Sequence, residues 1–374
     1  MRIVYITEVN LDKPSGVLNK LNQQVESWTM KGNDVYVVSI PSEVNFSGDK
    51  LLLTSVAKDV FIYKNKKASS FFSKGELNFI NKFLSTSSVK NYIATIKPDV
   101  IYMREMVAFP RITAMFSKYP VVLESNTLLE KELKFCGFAL RLFYNLFQPY
   151  LNKRIDGFIG VTDEISTTYI KYNKPTVTIG NSIHIDIDII NQKKTLNSSI
   201  NIIFVGSPDC TWHGIDKFVK MASHYPQYSF YLVGPIVSDV SLPNLKQMGF
   251  LGKDELADLY SIADIGVGSL ALHRNEMNQA CPLKVREYLS LGLPIIIAYE
   301  DKDLNNQDFV LQLPNEENCI DGHLGDIEGF IEKWKGQRIN LDLVHSLVST
   351  EVKEDERLIF LSKVIGDHYV SNRL

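Results

Sequence analysis

Short apolar runs rich in valine and isoleucine recur along the chain, and most precede a stretch in which apolar residues return every three or four positions. The first pattern predicts a buried parallel strand and the second an amphipathic helix. In the first half of the chain the predicted strands are 3–6, 35–40, 60–63, 100–103, 121–124, 157–161 and 176–179. This alternation is typical of a doubly wound α/β sheet.

The pattern restarts after the polar stretch 192–199, which has the composition of a linker. The second series of predicted strands is 202–205, 230–233, 265–268 and 293–298. We therefore expect two Rossmann-like doubly wound domains with parallel sheets facing across a cleft, and ligands at the carboxyl ends of the strands. The predicted domains are residues 1–185, with a charged amphipathic helix at 350–374 packing back on them, and residues 186–349.

The composition of the chain argues against several classes of function. A formal net charge of −3 argues against a general nucleic-acid binder, which is usually basic. The four cysteines form no Cys-x-x-Cys pair, so we expect no zinc site, and we interpret Asp186 and Asp188 as a solvated turn rather than a metal site. The first residues read as a strand and not as a signal peptide, and no apolar run approaches the ~20 residues that span a bilayer. A cytoplasmic location is the resulting expectation.

The most informative segment is 281–296. Lys284 and Glu287 are three residues apart and share one face of a predicted helix, which Gly292 and Pro294 end. A helix start that carries a lysine and free backbone N–H groups is suited to an anion such as a diphosphate. A glutamate one turn later can accept hydrogen bonds from sugar hydroxyls. The segment therefore predicts a nucleotide-sugar site.

Two loops that follow predicted strands are further candidates for phosphate binding. The loop at 206–214 contains Gly206, Ser207 and His213, and its N–H groups together with the next helix start favour a phosphate. If His213 acts there as a cation, activity should fall as pH rises past ~6.5. The loop at 10–16 ends at Gly16, which would let backbone approach a ligand closely. For each of these two loops, the alternative is an ordinary turn between a strand and a helix that binds no phosphate.

Polar residues also end two predicted strands of the first half. Glu124 and Asn126 are candidate substrate ligands, and a helix cap is the alternative for Asn126. Arg104 is a third candidate, although it could simply pair with Glu105. The segment 131–154 interleaves aromatic with basic residues, as expected of a membrane-surface helix and equally of a helix packed on its own domain.

Through these residues the chain resembles glycosyltransferase family 4 (group 1), a bacterial polysaccharide-type family with the GT-B fold. The most specific match is Pro-Leu-Lys-Val-Arg-Glu-Tyr-Leu at 282–289 with Gly-Leu-Pro at 292–294. The second is Trp-His-Gly at 212–214, after Val-Gly-Ser at 205–207. The resemblance extends over most of the chain.

The resemblance implies a retaining, metal-independent hexosyltransferase with no cofactor, which moves a sugar from a nucleotide-diphosphate sugar to a glycan or lipid-linked acceptor. It also implies a role in surface polysaccharide biosynthesis. The aromatic and basic residues of 131–154 add the expectation of peripheral contact at the inner face of the membrane. By the same resemblance Lys284, Glu287 and His213 form the catalytic set, with Glu287 on the donor ribose. The implied substrate-binding residues are Gly16, Arg104, Glu124, Asn126, Gly206, Ser207, Phe250, Leu251, Gly252, Gln279, Cys281, Pro282 and Leu283.

Three positions depart from the family pattern. Many members have a glutamate where this chain has Gln279, an arginine where it has Ser207, and paired glycines where it has Gly16 alone. Two alternatives therefore stay open: a nucleotide-sugar 2-epimerase of the same fold, and a non-catalytic GT-B partner subunit. A dinucleotide-dependent dehydrogenase is disfavoured because neither half carries the G-x-G-x-x-G fingerprint.

Overall fold

The computed structural model describes residues 1–41, 52–53, 56–63, 74–135, 138–185, 199–207, 210–235 and 238–371. The chain divides into two compact units, Met1–Ile179 with Lys353–Leu374 (unit 1) and Gly180–Val352 (unit 2). Most of the predicted linker, and both Asp186 and Asp188, lie outside the described residues.

Unit 1 is built on a parallel sheet. Its strands within the described residues are β1 (Arg2–Thr7), β2 (Asp34–Ser39), β3 (Asp59–Ile62), β4 (Val100–Arg104), β5 (Val121–Ser125), β6 (Gly157–Gly160) and β7 (Thr176–Thr178). The strand order is β3-β2-β1-β4-β5-β6-β7, and all neighbours pair in parallel. Its first helices are α1 (Gly16–Met30), α2 (Lys74–Ile96), α3 (Leu129–Glu132), α4 (Phe138–Arg154) and α5 (Asp163–Thr167).

Unit 2 repeats this architecture. Its strands within the described residues are β8 (Asn201–Val205), β9 (Ser229–Val233), β10 (Leu245–Gly249), β11 (Ile265–Val267), β12 (Ile295–Ile297) and β13 (Val310–Gln312), in the parallel order β10-β9-β8-β11-β12-β13. Its helices are α6 (Ile215–His224), α7 (Lys253–Ile262), α8 (Leu283–Ser290), α9 (Leu324–Trp334) and α10 (Leu341–Val348). The predicted class, two doubly wound parallel sheets, is confirmed.

The last helix, α11 (Thr350–Ser371), supplies part of the core of unit 1. Phe360, Leu361 and Val364 from this helix are buried in the same cluster as Trp28 of α1. The Trp28 ring lies 5.0 Å from the ring of Tyr102, and its Nε1 donates a 3.0 Å hydrogen bond to a carboxylate of α11. Unit 1 is therefore completed by residues that come after unit 2 in the sequence.

Glu124 has a structural role that differs from the predicted one. Its carboxylate is fully buried and accepts hydrogen bonds from Lys20 of α1, Tyr102 of β4 and Arg357 of α11. Burial alone would raise the pKa of Glu124, but the positive charges of Lys20 and Arg357 hold it well below the usual range. With its oxygens occupied by protein donors, Glu124 ties three elements together, and we do not retain it as a substrate ligand.

Helix α4 carries an exposed apolar row at a spacing of four residues. Phe138, Leu142, Leu146 and Tyr150 are 79%, 45%, 50% and 70% exposed. Arg141 and Lys153 lie on the same exposed face.

Among the helices that the structure describes, none is both long enough and apolar enough to span a bilayer.

Candidate functional site

The strand order of unit 2 reverses direction between β8 and β11, which are neighbours in the sheet. Connections from two such strands leave toward opposite sides, which opens a crevice at their carboxyl ends where ligands of α/β sheets bind. The segment Thr211–His213 follows β8, and α8 lies in the chain between β11, the neighbour of β8, and β12. The residues singled out from sequence in this half therefore gather at one edge of one sheet.

Helix α8 begins with an open N-terminus. Pro282 occupies the N-cap position with extended backbone (φ −75°, ψ 140°), and no side chain of the described residues caps the helix. Proline is compatible with this position because its ring fixes φ and no amide donor is lost from the helix. The first N–H groups of α8 keep their partial positive charge for an external acceptor.

Lys284 lies in the first turn of α8 and has a buried, unsatisfied ammonium group. Its Nζ has no hydrogen-bond partner among the described residues and lies 4.0 Å from the centre of the Phe204 ring. Burial lowers the pKa of Lys284 from 10.5 to about 7. Because a buried charge without a partner is costly, this geometry favours an anionic ligand that would pair with the ammonium.

His213 lies beside Lys284 but does not have the charge required of a cationic site residue. Burial and the positive charge of Lys284 lower the pKa of His213 to about 3, so the imidazole is neutral at physiological pH. The Ser207 backbone N–H lies 3.4 Å from Nδ1, which assigns the ring proton to Nε2. His213 can still donate one neutral hydrogen bond, and a loss of activity above pH ~6.5 is therefore not expected from the titration of this ring.

Glu287 lies one turn after Lys284 on α8. The Tyr260 hydroxyl donates a 3.2 Å hydrogen bond to its Oε2, and burial raises the carboxyl pKa. Tyr260 is its one hydrogen-bond partner within the described part of the chain, so the carboxylate retains acceptor capacity. A polar group of this kind next to a diphosphate site can bind a hydroxyl of the sugar or ribose.

Replacing Glu287 by glutamine is expected to raise the donor KM by about 10- to 100-fold, since a hydrogen bond to a charged group contributes roughly 1.5–3 kcal/mol. Steady-state kinetics at varied donor concentration measures this. Glu332→Gln is the matched control, because it also removes a carboxylate that accepts from a tyrosine hydroxyl (Tyr228, 2.7 Å), but on α9. Equal donor KM values for both variants would make Glu287 a structural residue.

Two glycines among the predicted substrate-binding residues use their backbone donors inside the protein. The Gly206 N–H donates to the Val233 carbonyl at 2.9 Å. The Gly252 N–H donates to the Glu255 side chain at 2.8 Å at the start of α7. The Gly206 amide is therefore not available for a phosphate in this structure, which corrects that part of the prediction for the loop at 206–214.

The remaining predicted residues of unit 2 are placed as follows. Ser207 and Phe250 are exposed, Phe250 by 78%, and Leu251 is half-buried next to it. The Gln279 side chain donates a 3.1 Å hydrogen bond to Glu300, and Leu283 is the first residue of α8. The roles of Phe250 and Leu251 at the base, and of Gln279 at the donor sugar, stay predictions.

Sequence reasoning did not identify the function of Arg286. This fully buried arginine donates to both oxygens of Asp301 (2.9 and 3.0 Å), to Asp303 (2.8 Å) and to the Asn181 carbonyl (2.9 Å). It also contacts the Cys281 sulfur at 2.7 Å, just before Pro282. Arg286 therefore fixes the loop that positions the start of α8.

The side chains around Arg286 resemble a metal site only in that their possible ligand atoms lie close together. Among the described residues, the group of acidic or sulfur ligands close enough to share an ion is Cys281, Asp301 and Asp303. Because Arg286 donates to all three, a guanidinium group already supplies the positive charge there. Gly180 is required beside it, since a Cβ at that position would lie 2.0 Å from an Asp303 oxygen.

Three of the candidates in unit 1 lie together. Arg104 and Glu124 are neighbours across β4 and β5, and the Asn126 side chain donates to Glu124 at 3.0 Å. Gly16 is the exposed first residue of α1, which Ser15 caps through a 3.1 Å bond from the Leu18 N–H. Asn126 is bonded to the buried ion cluster through Lys20 at 2.9 Å. Arg104 ends β4, and the suggested pairing with Glu105 is not found among the described residues.

Comparison with known proteins was informative at the level of structure. No protein-family model and no curated protein sequence matches the chain. Sucrose-phosphate synthase from Thermosynechococcus elongatus superimposes with a TM-score of 0.69 at 14% identity, covering 98% of this chain and 99% of that one. Anabaena HepE in complex with UDP-glucose gives a TM-score of 0.61 at 16% identity, covering 97% and 100%. UDP-GlcNAc 2-epimerase from Neisseria meningitidis bound to UDP-GlcNAc gives 0.53 at 13% identity, covering 97% and 100%.

These similarities extend over nearly the full length of each chain, and the identities are low enough that they establish the fold alone. With its two Rossmann-like parallel sheets, this chain has the GT-B fold.

Proposed function

We propose that the protein is a retaining, metal-independent glycosyltransferase that moves a sugar from a nucleotide-diphosphate sugar to a glycan or lipid-linked acceptor, within surface polysaccharide biosynthesis. The observation that supports it best is the buried, unpaired Lys284 ammonium beside the open start of α8. The retaining outcome, the independence of metals and the pathway rest on the resemblance to glycosyltransferase family 4.

The proposed reaction breaks the bond between the sugar and the diphosphate, so negative charge grows on the leaving group. Lys284, the first N–H groups of α8 and Nε2 of His213 are the donors that would stabilise this charge. A new bond forms between the anomeric carbon and an acceptor hydroxyl, whose proton passes to the departing diphosphate. This front-side route is the one that the family resemblance implies.

The experiment that tests the proposal measures donor binding and then turnover. UDP-glucose is the first donor to try, because a protein with this fold was solved in complex with it. A ligand that binds only the native state at about 100 times its Kd should stabilise it by about 2.7 kcal/mol, which appears as a higher Tm. If none of UDP-glucose, UDP-GlcNAc and GDP-mannose raises the Tm, the proposal is wrong.

Product analysis with donor alone separates the alternatives. An epimerised donor formed without acceptor would favour the 2-epimerase, for which a solved structure with this fold is the supporting observation. Binding without hydrolysis or transfer would favour the non-catalytic partner subunit. Release of free sugar or of a glycosylated acceptor, undiminished by EDTA, is the result expected of the proposed transferase.

Membrane contact through 131–154 stays a prediction. It is supported by the exposed apolar row of α4 and by Arg141 and Lys153 on the same face, a combination suited to an anionic lipid surface.

A further inference from the structure

Unit 1 has a cavity of about 800 Å³ at the amino ends of the neighbouring strands β5, β6 and β7. Lys118, Asp156 and Lys174 line it, and each lies just before one of these strands. The volume is within the range of small-molecule sites, about 300–1,000 Å³. Ligands of α/β sheets usually bind at the carboxyl ends of the strands, so this rear cavity is separate from the donor site proposed above.

The walls of the rear cavity are joined through Asp156. Its Oδ2 accepts hydrogen bonds from the Val121 N–H at 2.9 Å and from Arg154 at 2.8 Å. Its Oδ1 lies 3.2 Å from Nδ1 of His368 on α11, and the other nitrogen of that ring lies 2.9 Å from the Lys118 carbonyl. Because Asp156 connects β5, β6 and α11, the cavity is formed before any ligand arrives, which lowers the cost of binding.

The lining of the rear cavity carries an excess of positive charge. Three of its lysines are exposed and have neither an ion pair nor a side-chain hydrogen bond among the described residues: Lys118, Lys153 and Lys174. The fourth cation, Arg154, is paired with Asp156, and the second acid of the lining is Asp367. With the His368 imidazole counted as neutral, four cations and two acids leave a formal charge of +2. This excess favours an anionic ligand.

The exposed apolar row of α4 leads to the rear cavity. Tyr150 is the last member of that row, and Lys153 of the cavity lining follows three residues later, about one turn along the same face. Helix α4 contains no acidic residue, so an approaching anion meets no like charge on it. A second copy of this chain would place one basic surface against another, which is unfavourable. The row therefore adds an apolar surface next to an anion site.

We propose that the rear cavity binds a phosphomonoester, carried on a membrane lipid or on a small soluble molecule. This group has a charge of about −1.5 to −2 at pH 7 and three strong acceptor oxygens, which matches the charge of the lining and its three unpaired lysines. A phosphodiester has one negative charge and would leave about one positive charge uncompensated. The inference goes beyond the proposed function and does not depend on it, because no donor-site residue lines this cavity.

Vesicle flotation with the full chain tests the lipid source. Phosphatidylcholine vesicles containing phosphatidic acid, or twice as much phosphatidylglycerol, carry about the same surface charge, but only the first present a phosphomonoester. The first are expected to bind at least about fivefold more tightly. Lys118→Gln combined with Lys174→Gln should weaken that binding roughly 10- to 30-fold and remove the preference, since each lysine near an anionic surface contributes about 1 kcal/mol. Both lysines lie on loops outside α4, so the double variant leaves the apolar row intact.

Isothermal titration with glycerol 3-phosphate tests the soluble source, with glycerol as the uncharged reference. Binding of the ester, weakened in the same double variant and absent for glycerol, assigns a soluble ligand. A preference that appears on vesicles alone assigns the lipid. Both results together show that the phosphate itself is recognised on either carrier.

Lys90→Gln combined with Lys97→Gln is the matched control, because it removes two exposed lysines from unit 1 that do not line the rear cavity. It should leave the affinities and the preference unchanged. An equal loss in the two double variants would overturn the inference. So would equal binding of the two charge-matched vesicles together with no binding of glycerol 3-phosphate. UDP-glucose binding, measured on the same wild-type sample, reports separately on the proposed function.

Discussion

Replacing Lys284 by methionine is expected to slow transfer by about two to three orders of magnitude and to make the unliganded protein more stable. Loss of a donor to a developing oxyanion lowers the rate by about 10²–10³. The same change removes a buried ammonium that lacks a partner, which should raise the free energy of unfolding by roughly 1–3 kcal/mol. Turnover under donor saturation and urea unfolding of the unliganded protein measure the two effects.

The matched control for this prediction is Lys246→Met. Lys246 also lies over an aromatic ring of unit 2, with its Nζ 4.8 Å from the centre of Tyr231, but it is exposed on β10. Its replacement should change neither turnover nor stability by more than about 0.5 kcal/mol. A Lys284→Met protein that keeps wild-type turnover would remove Lys284 from the donor site, and one that is less stable would show that the ammonium has a stabilising partner.

The stability gain of Lys284→Met has a defined pH dependence. The pKa of Lys284 is about 7 in the native state and 10.5 in a model peptide, so the unfolded chain binds the proton more tightly. Stability of the wild type therefore rises with pH between about 7 and 10.5, relative to the variant. The difference between the two proteins should be largest at and below pH 7 and should vanish above about pH 10.5.

Replacing Arg286 by methionine is expected to destabilise unit 2 by about 3–5 kcal/mol, because removal of one partner leaves buried charges uncompensated. Asp301 is fully enclosed and would lose both of its bonds to the guanidinium, and Asp303 would lose one. The loop from Cys281 would also lose its anchor to Asn181. Urea unfolding of the full chain should show an early transition, with donor affinity lost together with it.

Arg274→Met is the control for the buried position of Arg286. Arg274 makes a comparable set of bonds, to both oxygens of Asp216 and to Glu317, but on the surface. Exposed ion pairs contribute about 0–1 kcal/mol, so its loss should be small. Equal effects of the two substitutions would mean that Arg286 does not hold unit 2 together. Partial recovery in Arg286→Met with Asp301→Asn and Asp303→Asn would confirm that uncompensated charge is the cause.

The fold was largely predictable because its central strands are apolar. Each run of valine and isoleucine in the sheet centres corresponds to an observed strand, as in β1 and β12. The two strands that the pattern missed, β10 and β13, are edge strands, one with a mostly exposed Leu-Lys-Gln-Met-Gly sequence and the other only three residues long. Edge strands are half-solvated, so they carry little of the apolar signal.

The candidate site was predictable where its residues are close in sequence. Lys284 and Glu287 share one helix face, and three-residue spacing is sufficient to place them together. The neutral state of His213 depends on burial, and the role of Arg286 depends on partners 15, 17 and 105 positions away. Local spacing contains no information on contacts of that range.

Assembly of unit 1 depends on a helix, α11, that is translated after the whole of unit 2. Glu354 and Arg357 of α11 bond to Trp28 and Glu124, whereas unit 2 is one continuous stretch, Gly180–Val352. At ribosomal rates of about 5–20 residues per second, this stretch delays α11 by roughly 10–30 s after β7 emerges. During that interval the nascent amino-terminal half exposes the apolar surface that α11 will cover. We therefore expect its early folding to rely on chaperones, and premature termination before α11 to release an aggregation-prone fragment.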